Sequence, residues 1–332
     1  RSITLDLKSA TGQAIFKELL RSADLVVESF RPGTVDRFGL GYQELSALRP
    51  GLVMLSISNF GQSGPYRDYK AVDLIAQAVG GPAMYSQGMQ GREPLKYPGN
   101  TGQFFAGTTA AVAAMGAVFA ARMQGIGQHV DVSIAEALLG STENKPIEYL
   151  YTGQVLTRAA NTARWSYLMG SFPCKDGFIG LQGSGRGETW WPRVYRLIGM
   201  PELEQDPRFS TPEAREANRE AFDVYWYSWL ADHTRQEVFE AAQEARFPLA
   251  PVYTPRDMAQ DPHFRARGFF EEVQQPHAGR LIQPGRPFKM AGTPWRGGEP
   301  APLLGQHNAE VYVGQLGISP RELGRLRAAG VV

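Results

Sequence analysis

The residues whose types and spacing could do chemistry gather between Asn59 and Gly107. The apolar run Leu52-Val53-Met54-Leu55-Ser56-Ile57 leads into Asn59-Phe60-Gly61-Gln62-Ser63-Gly64-Pro65-Tyr66. A strand that ends in a Gly/Ser/Pro loop puts backbone N–H groups and small side chains at the carboxyl end of a sheet, where open α/β sheets bind ligands. Lys70 and Asp73 follow, a cation and a carboxylate near one another in the chain. No Asp or Glu then appears between Pro94 and Val130. Acid–base or nucleophilic work near this stretch therefore falls to Asp73, to Glu93 upstream, or to Asp131 and Glu136 downstream.

Other chemistries find less support. The five histidines, His129, His233, His263, His277 and His307, lack metal-ligand spacing and read as structural or surface groups. Ser133 and Cys174 have no His–acid partner that the sequence can place. Gly183-Ser184-Gly185-Arg186-Gly187 is glycine-rich, but it does not lie between a strand and a helix as a dinucleotide fingerprint would. Trp190, Trp191, Trp226 and Trp229 fall at helical spacings and read as core.

Several motifs in order carry a resemblance over nearly the whole chain: Arg1-Ser2-Ile3-Thr4-Leu5-Asp6-Leu7-Lys8, Glu28-Ser29-Phe30-Arg31-Pro32-Gly33, Phe60-Gly61-Gln62-Ser63-Gly64-Pro65, Val130-Asp131-Val132-Ser133, Phe172-Pro173-Cys174-Lys175-Asp176-Gly177 and Leu303-Leu304-Gly305-Gln306-His307-Asn308. Together they resemble the family III CoA-transferases, the group containing formyl-CoA transferase, the carnitine CoA-transferase and α-methylacyl-CoA racemase. The resemblance implies an α/β fold: a Rossmann-like large domain with a parallel sheet plus a small α/β domain, two chains being threaded into an interlocked dimer. It implies coenzyme A as the substrate thioester, no metal, and a carboxylic acid as the other substrate. It places Leu5, Lys8, Ser29, Phe30, Arg37 and Lys70 beside CoA. It also makes the Gly183–Gly187 loop, with Gly183 and Gly185, a mobile cover over the reacting thioester. The acyl pocket would draw on Tyr66, Met84, Tyr85 and Trp165.

Two departures bear on mechanism. The family's nucleophilic Asp stands four residues before a Gly, and here that place reads Gln103-Phe104-Phe105-Ala106-Gly107. A primary amide is neutral and very weakly nucleophilic, so Gln103 cannot form the acyl intermediate that a carboxylate forms. The histidine of the racemases would stand at Val72, which moves no proton, although Asp73 keeps an acid where relatives often carry one. The family also begins with a strand-rich segment ahead of the Arg1–Lys8 run, and an uncovered sheet edge or apolar gap is expected beside residues 1–7. Three readings follow: a CoA-transferase for a small or aromatic acid, the Asp-lacking subunit of a heteromeric CoA-transferase whose homologous partner carries the Asp, and, least supported, an acyl-CoA racemase or isomerase.

The elements that must position these residues are legible in outline. Arg1–Leu7 alternates as a strand, Ser9 caps a helix to Leu20, and strands are expected at Asp24–Glu28, Leu52–Ser58 and Gln128–Ser133 with helices between. Such alternation gives crossover connections and a parallel sheet. Phe104–Ala121 is uncharged and rich in Ala and Gly, and is read as a packed interior helix rather than a membrane span. The chain of 332 residues suggests two domains: a large CoA-binding domain over 1–155, a small domain with linkers over 156–262, and a return to the large domain over 263–332. A formal net charge of +1 gives no argument for nucleic acid or a membrane surface, and a single cysteine excludes an internal disulfide. A cytoplasmic protein is the expectation.

Overall fold

A computed structural model describes residues 1–81, 84, 88, 91–141, 145–155, 168–182, 190–295, 297 and 299–332. The chain forms two compact units, Arg1–Asn161 with Pro302–Val332, and Thr162–Ala301. Gly183 and Gly185, with the rest of their loop, and Tyr85 and Trp165 lie outside the described residues.

The first unit is built on three parallel strands, β1 (Leu25–Glu28), β2 (Val53–Ser58) and β3 (Gln128–Ser133), in the order β1-β2-β3. Val27 pairs with Leu55, and Ile57 with Val132. β2 is central and almost wholly buried. Because side chains alternate along a strand, it serves two cores at once. Met54 packs with Leu20, Leu40, Leu45 and Leu52, while Leu55 packs with Ala106, Ala110, Val132, Ile134 and Leu138. The first cluster draws on α1 (Ala10–Leu20) and α3 (Tyr42–Leu48), with the short α2 (Thr34–Arg37) before the latter. Ser9 caps α1 by accepting the Gly12 N–H.

The second cluster rests on α4 (Asp73–Gly80), α5 (Thr101–Gln124) and α6 (Ile134–Ser141), after which α7 (Lys145–Thr152) follows. α5 departs from the interior helix expected of it. Only a stripe of small residues is buried: Gly102, Ala106, Ala110, Ala114 and Ala117. Their spacing of three to four puts them on one face, where the lack of bulk lets the helix lie close against its neighbours. The opposite face is apolar too, yet exposed, with Phe104 78% accessible and Phe119 67%. By length and composition alone the helix could cross a membrane. Its small-residue stripe instead seats it on the second cluster.

Arg1–Leu7 also departs from expectation, for it forms no strand. Its N–H groups are met one by one from the far end of the chain. Ser2 N–H donates to His307 Nδ1 at 2.9 Å, Thr4 N–H to Asn308 Oδ1 at 2.9 Å, and Asp6 N–H to the Val331 carbonyl at 2.8 Å. Asn308 Nδ2 returns a bond to Thr4 Oγ1, and the Tyr312 hydroxyl donates to the Thr4 carbonyl. Alternate residues have their polar groups engaged, which produces the period of two without a sheet. β1 and β3, not this segment, are the edge strands of the sheet among the described residues.

The second unit carries an antiparallel sheet of β4 (Met169–Cys174), β5 (Gly177–Gln182) and β6 (Leu249–Pro251). Its aromatic core includes Phe172, Tyr195, Phe222 and the fully buried Trp226, with Phe172 meeting Trp226 edge-on at 5.9 Å. Thr234 and Glu237 close a capping box at the start of the helix Arg235–Glu244. Residues 263–301 group with this unit, so the chain re-enters the first unit at Pro302. They are tied locally: β7 (Phe270–Gln275) and β8 (Gly279–Pro284) form a hairpin, and Arg286 pairs with Glu271 at 2.9 Å.

Candidate active site

A cavity of about 870 Å³ opens at the carboxyl ends of β1 and β2. It gathers Ser29, Phe30, Arg37, Lys70, Asp73 and Gln103, six of the residues singled out in the sequence. Each is brought there by a local device. The Phe30 N–H donates to Glu28 Oε2 at 2.7 Å, which fixes the turn after β1. Arg37 closes the short helix α2, and its guanidinium donates to Thr34 Oγ1 at 3.1 Å. Lys70 follows the loop after β2. Asn59 Nδ2 donates to the Ala71 carbonyl at 3.0 Å and so anchors the end of that loop.

The Gly/Ser/Pro loop is stitched to the neighbouring strand. Asp131 on β3 accepts the Gln62 N–H at 2.9 Å. Gly61 has φ 85°, and a Cβ there would stand 3.5 Å from Asp131 Oδ2. Asp131 therefore holds the loop and does not line the cavity. Glu93 and Glu136 are exposed and are likewise absent from its lining. Val72 does line it, and no histidine does.

Asp73 is the buried acid of the site. Its Oδ1 accepts the Gln103 N–H at 3.2 Å, and its Oδ2 accepts from Gln77 Nε2 at 2.5 Å. Gln77 in turn holds the backbone of Tyr97, accepting its N–H at 2.8 Å. Asn100, the residue before α5, offers no side-chain cap, so the carboxylate at the start of α4 caps α5 instead. That role suits a carboxylate, because a helix N-terminus presents free N–H groups and a positive dipole end. Gly102 makes the approach possible, since a Cβ there would lie 2.9 Å from Asp73 Oδ1. The side chain of Gln103 is exposed at the cavity.

Leu5 and Lys8 are not brought to this cavity. Lys8 is exposed, and its N–H donates to Asp6 Oδ1. Tyr66 lies one ring away: it stacks on Tyr69, which lines the cavity, at 5.1 Å. Met84 is not among the lining residues. Sequence reasoning passed over Arg31, Arg67, Ser58 and Asn59, all of which line it. Arg31 belongs to the same motif as Ser29 and Phe30, and Arg67 precedes Lys70 by three residues, so proximity to chosen residues was the available signal.

The lining suits CoA. Arg31, Arg37, Arg67 and Lys70 face it, against Asp68 and Asp73. Asp73 is engaged by N–H donors, and Asp68 lies 3.6 Å from Arg67. Among the described residues Arg31, Arg37 and Lys70 make no ion pair. Uncompensated cations beside a cavity of this size fit a ligand bearing a diphosphate and a further phosphate. Among the described residues no group of three His, Cys, Asp or Glu side chains is arranged to hold a metal.

Comparison with known proteins agrees with this geometry. The chain is 35% identical over its full length to 82% of the succinyl-CoA–D-citramalate CoA-transferase of Chloroflexus aurantiacus. It is 30% identical, again over its full length, to 77% of the succinyl-CoA–L-malate CoA-transferase alpha subunit of Chloroflexus aurantiacus. A crystal structure of a CAIB/BAIF family protein from Brucella suis superposes with a TM-score of 0.80 at 27% identity, covering 95% of this chain and 81% of that one. The family model for CoA-transferase family III matches residues 1–308, and with the fold, the cation-lined cavity and these relatives in agreement, the chain belongs to the family III CoA-transferases.

Proposed function

We propose that this chain moves CoA from a succinyl-type thioester to a small or aromatic carboxylic acid, as one subunit of an assembly whose homologous partner supplies the attacking carboxylate. The observation that carries the reading is the cavity that joins Arg37 and Lys70 to Gln103. Phosphates would lie on Arg37 and Lys70, aided by Arg31 and Arg67, with the thioester directed toward Gln103. The acid-bearing neighbours of Gln103 are occupied: Asp73 caps α5 and Asp131 holds the glycine loop. Relatives named as alpha and beta subunits of one CoA-transferase give the precedent for a divided enzyme. The exposed apolar face of α5 supports a second chain, of the same or of homologous sequence, packed in the interlocked manner of the family.

The chemistry needs a carboxylate that is both nucleophile and leaving group. A carboxylate oxygen attacks the thioester carbonyl, the C–S bond breaks and CoA leaves as thiolate. The thiolate then attacks the carbonyl of the nucleophilic residue in the mixed anhydride, which releases the donor acid and leaves an enzyme thioester. The acceptor's carboxylate attacks the enzyme thioester and breaks its C–S bond, giving a second mixed anhydride and CoA thiolate; the thiolate then attacks the acceptor's carbonyl, which yields the new acyl-CoA and frees the enzyme carboxylate. Gln103 supports binding and cannot make the first bond. A cytoplasmic site of action belongs to the same proposal, since CoA thioesters are its substrates.

The test is CoA transfer from succinyl-CoA to a panel of acids by the purified chain, with Gln103→Asp alongside. We expect a silent parent and an active Gln103→Asp. Transfer by the parent alone would overturn the need for a partner's carboxylate. A parent that binds no CoA in calorimetry would overturn the reading of the cavity.

A further inference from the structure

Ser58 is the last residue of β2 and lines the cavity at 8% exposure. Its hydroxyl has no hydrogen-bond partner among the described residues. The other two buried serines of the sheet are satisfied. Ser56 Oγ, on the same face of β2, meets His129 Nε2 at 2.9 Å, and Ser133 Oγ, across from Ser58 on β3, accepts the Glu136 N–H at 3.2 Å. A buried polar group left without a partner is uncommon and costly, and an orphan at a ligand cavity points to a bond that the ligand completes.

The surroundings narrow the ligand group. Ser58 ends β2 with its side chain on the face opposite Ile57; Ile57 packs against the cluster holding Ala106 and Ile134, and all four residues line the same cavity. Gln103 and Gly107, which lie on either side of Ala106 in α5, line it as well. This part of the lining is neutral, whereas a phosphate would be drawn to Arg31, Arg37, Arg67 or Lys70. The cavity holds a second group without a hydrogen bond, Arg67 Nε, which among the described residues has only Asp68 at 3.6 Å and is a donor suited to the charged end. A neutral hydroxyl donor suits a neutral carbonyl oxygen better than it suits a phosphate, for which four cations already line the cavity.

We infer that Ser58 Oγ donates a hydrogen bond to a carbonyl oxygen of the bound CoA thioester, and so positions the acyl-bearing arm beside Gln103. The inference rests on the cavity being the CoA site. The carbonyl belongs either to the thioester or to an amide of the pantetheine arm, and both sources share this chemistry.

Calorimetric titration of the full chain with CoA and with acetyl-CoA, and thermal melting, would test it on the parent, Ser58→Ala and Ser58→Thr. The parent is expected to bind both ligands, and a parent that binds neither overturns the reading of the cavity itself. Ser58→Ala is expected to weaken binding by about three- to tenfold. Its melting temperature should be unchanged or raised, because no protein partner is lost. Ser58→Thr keeps the hydroxyl and should bind more tightly than Ser58→Ala. Weakening confined to acetyl-CoA assigns the thioester carbonyl, and equal weakening for both ligands assigns a pantetheine amide. Unchanged affinities in Ser58→Ala overturn the inference, as does a fall in melting temperature that matches the fall in affinity.

Discussion

Asp73 accepts the main-chain N–H of Gln103 at 3.2 Å, so the buried acid of one helix caps the first turn of another. The carboxylate that looks catalytic by its place in the chain holds the backbone on which the exposed Gln103 side chain is mounted. Replacing Asp73 by Ala leaves the Gln103 N–H and Gln77 Nε2 without this acceptor. We expect a loss of about 1–3 kcal/mol in denaturant unfolding. Unchanged stability, with transfer abolished when Asp73→Ala is added to the active Gln103→Asp variant, would instead make Asp73 a proton carrier.

Gln103→Asp introduces the missing nucleophile where the cavity is already formed. Incubated with succinyl-CoA, this variant is expected to gain the mass of an acyl or CoA adduct, whereas the parent gains none. An adduct on the parent would locate the nucleophile elsewhere, and peptide mapping would identify it.

The cations divide into those at the cavity and one that is not. Arg37→Ala and Lys70→Ala should each weaken CoA binding by about tenfold or more, as expected for a lost charge-assisted bond, with the effect shrinking at high salt. Lys8→Ala should bind as the parent does. If Lys8→Ala proved as damaging as Arg37→Ala, the placement of CoA would have to extend to the N-terminal segment.

The exposed face of α5 gives a prediction about assembly. Phe119→Glu puts a charge on that face, away from the buried alanine stripe. Sedimentation should show the assembly shifted toward single chains, with the far-ultraviolet circular dichroism unchanged. Unaltered sedimentation of a stable dimer would show that the face lies outside the contact.

Acid stability of the second unit should depend on Asp257. Hydrogen bonds from the Thr254 backbone, then the Arg235 guanidinium, hold its carboxyl at about 2, below the ordinary 3.8. A depressed folded value means that this stabilisation is complete above the unfolded value and is lost as pH falls through the folded one. Unfolding followed from pH 5 to pH 2 should therefore steepen below about 4 in the parent, and less so in Asp257→Asn. Identical profiles would remove Asp257 from the acid response.

Much of this was readable because the signals were periodic or local. β2 ends at Ser58 as its apolar run implies, and α3 spans Tyr42–Leu48. The Ser9, Thr234 and Ser319 caps form where the residue types favour them. Two features were illegible for physical reasons. The alternation of Arg1–Leu7 is the same whether a strand or isolated side chains satisfy its N–H groups. An apolar helix such as α5 reads as interior because sequence does not say whether its second face meets this chain or another. Ser58 gave no signal at all, since an orphan hydroxyl is defined only by the partners that folding withholds.

The bonds from Ser2, Thr4 and Asp6 to His307, Asn308 and Val331 also set a schedule for biosynthesis. The first unit needs residues 302–332 to fasten residues 2–6, and these leave the ribosome only after residues 162–301 have been made. Residues 162–301 form the second unit and are complete earlier, so on a nascent chain the unit second in sequence can fold first. Residues 2–6 must wait, unclasped, until then, and the closure joins residues that stand 305 and 304 positions apart, the kind of contact that slows folding most.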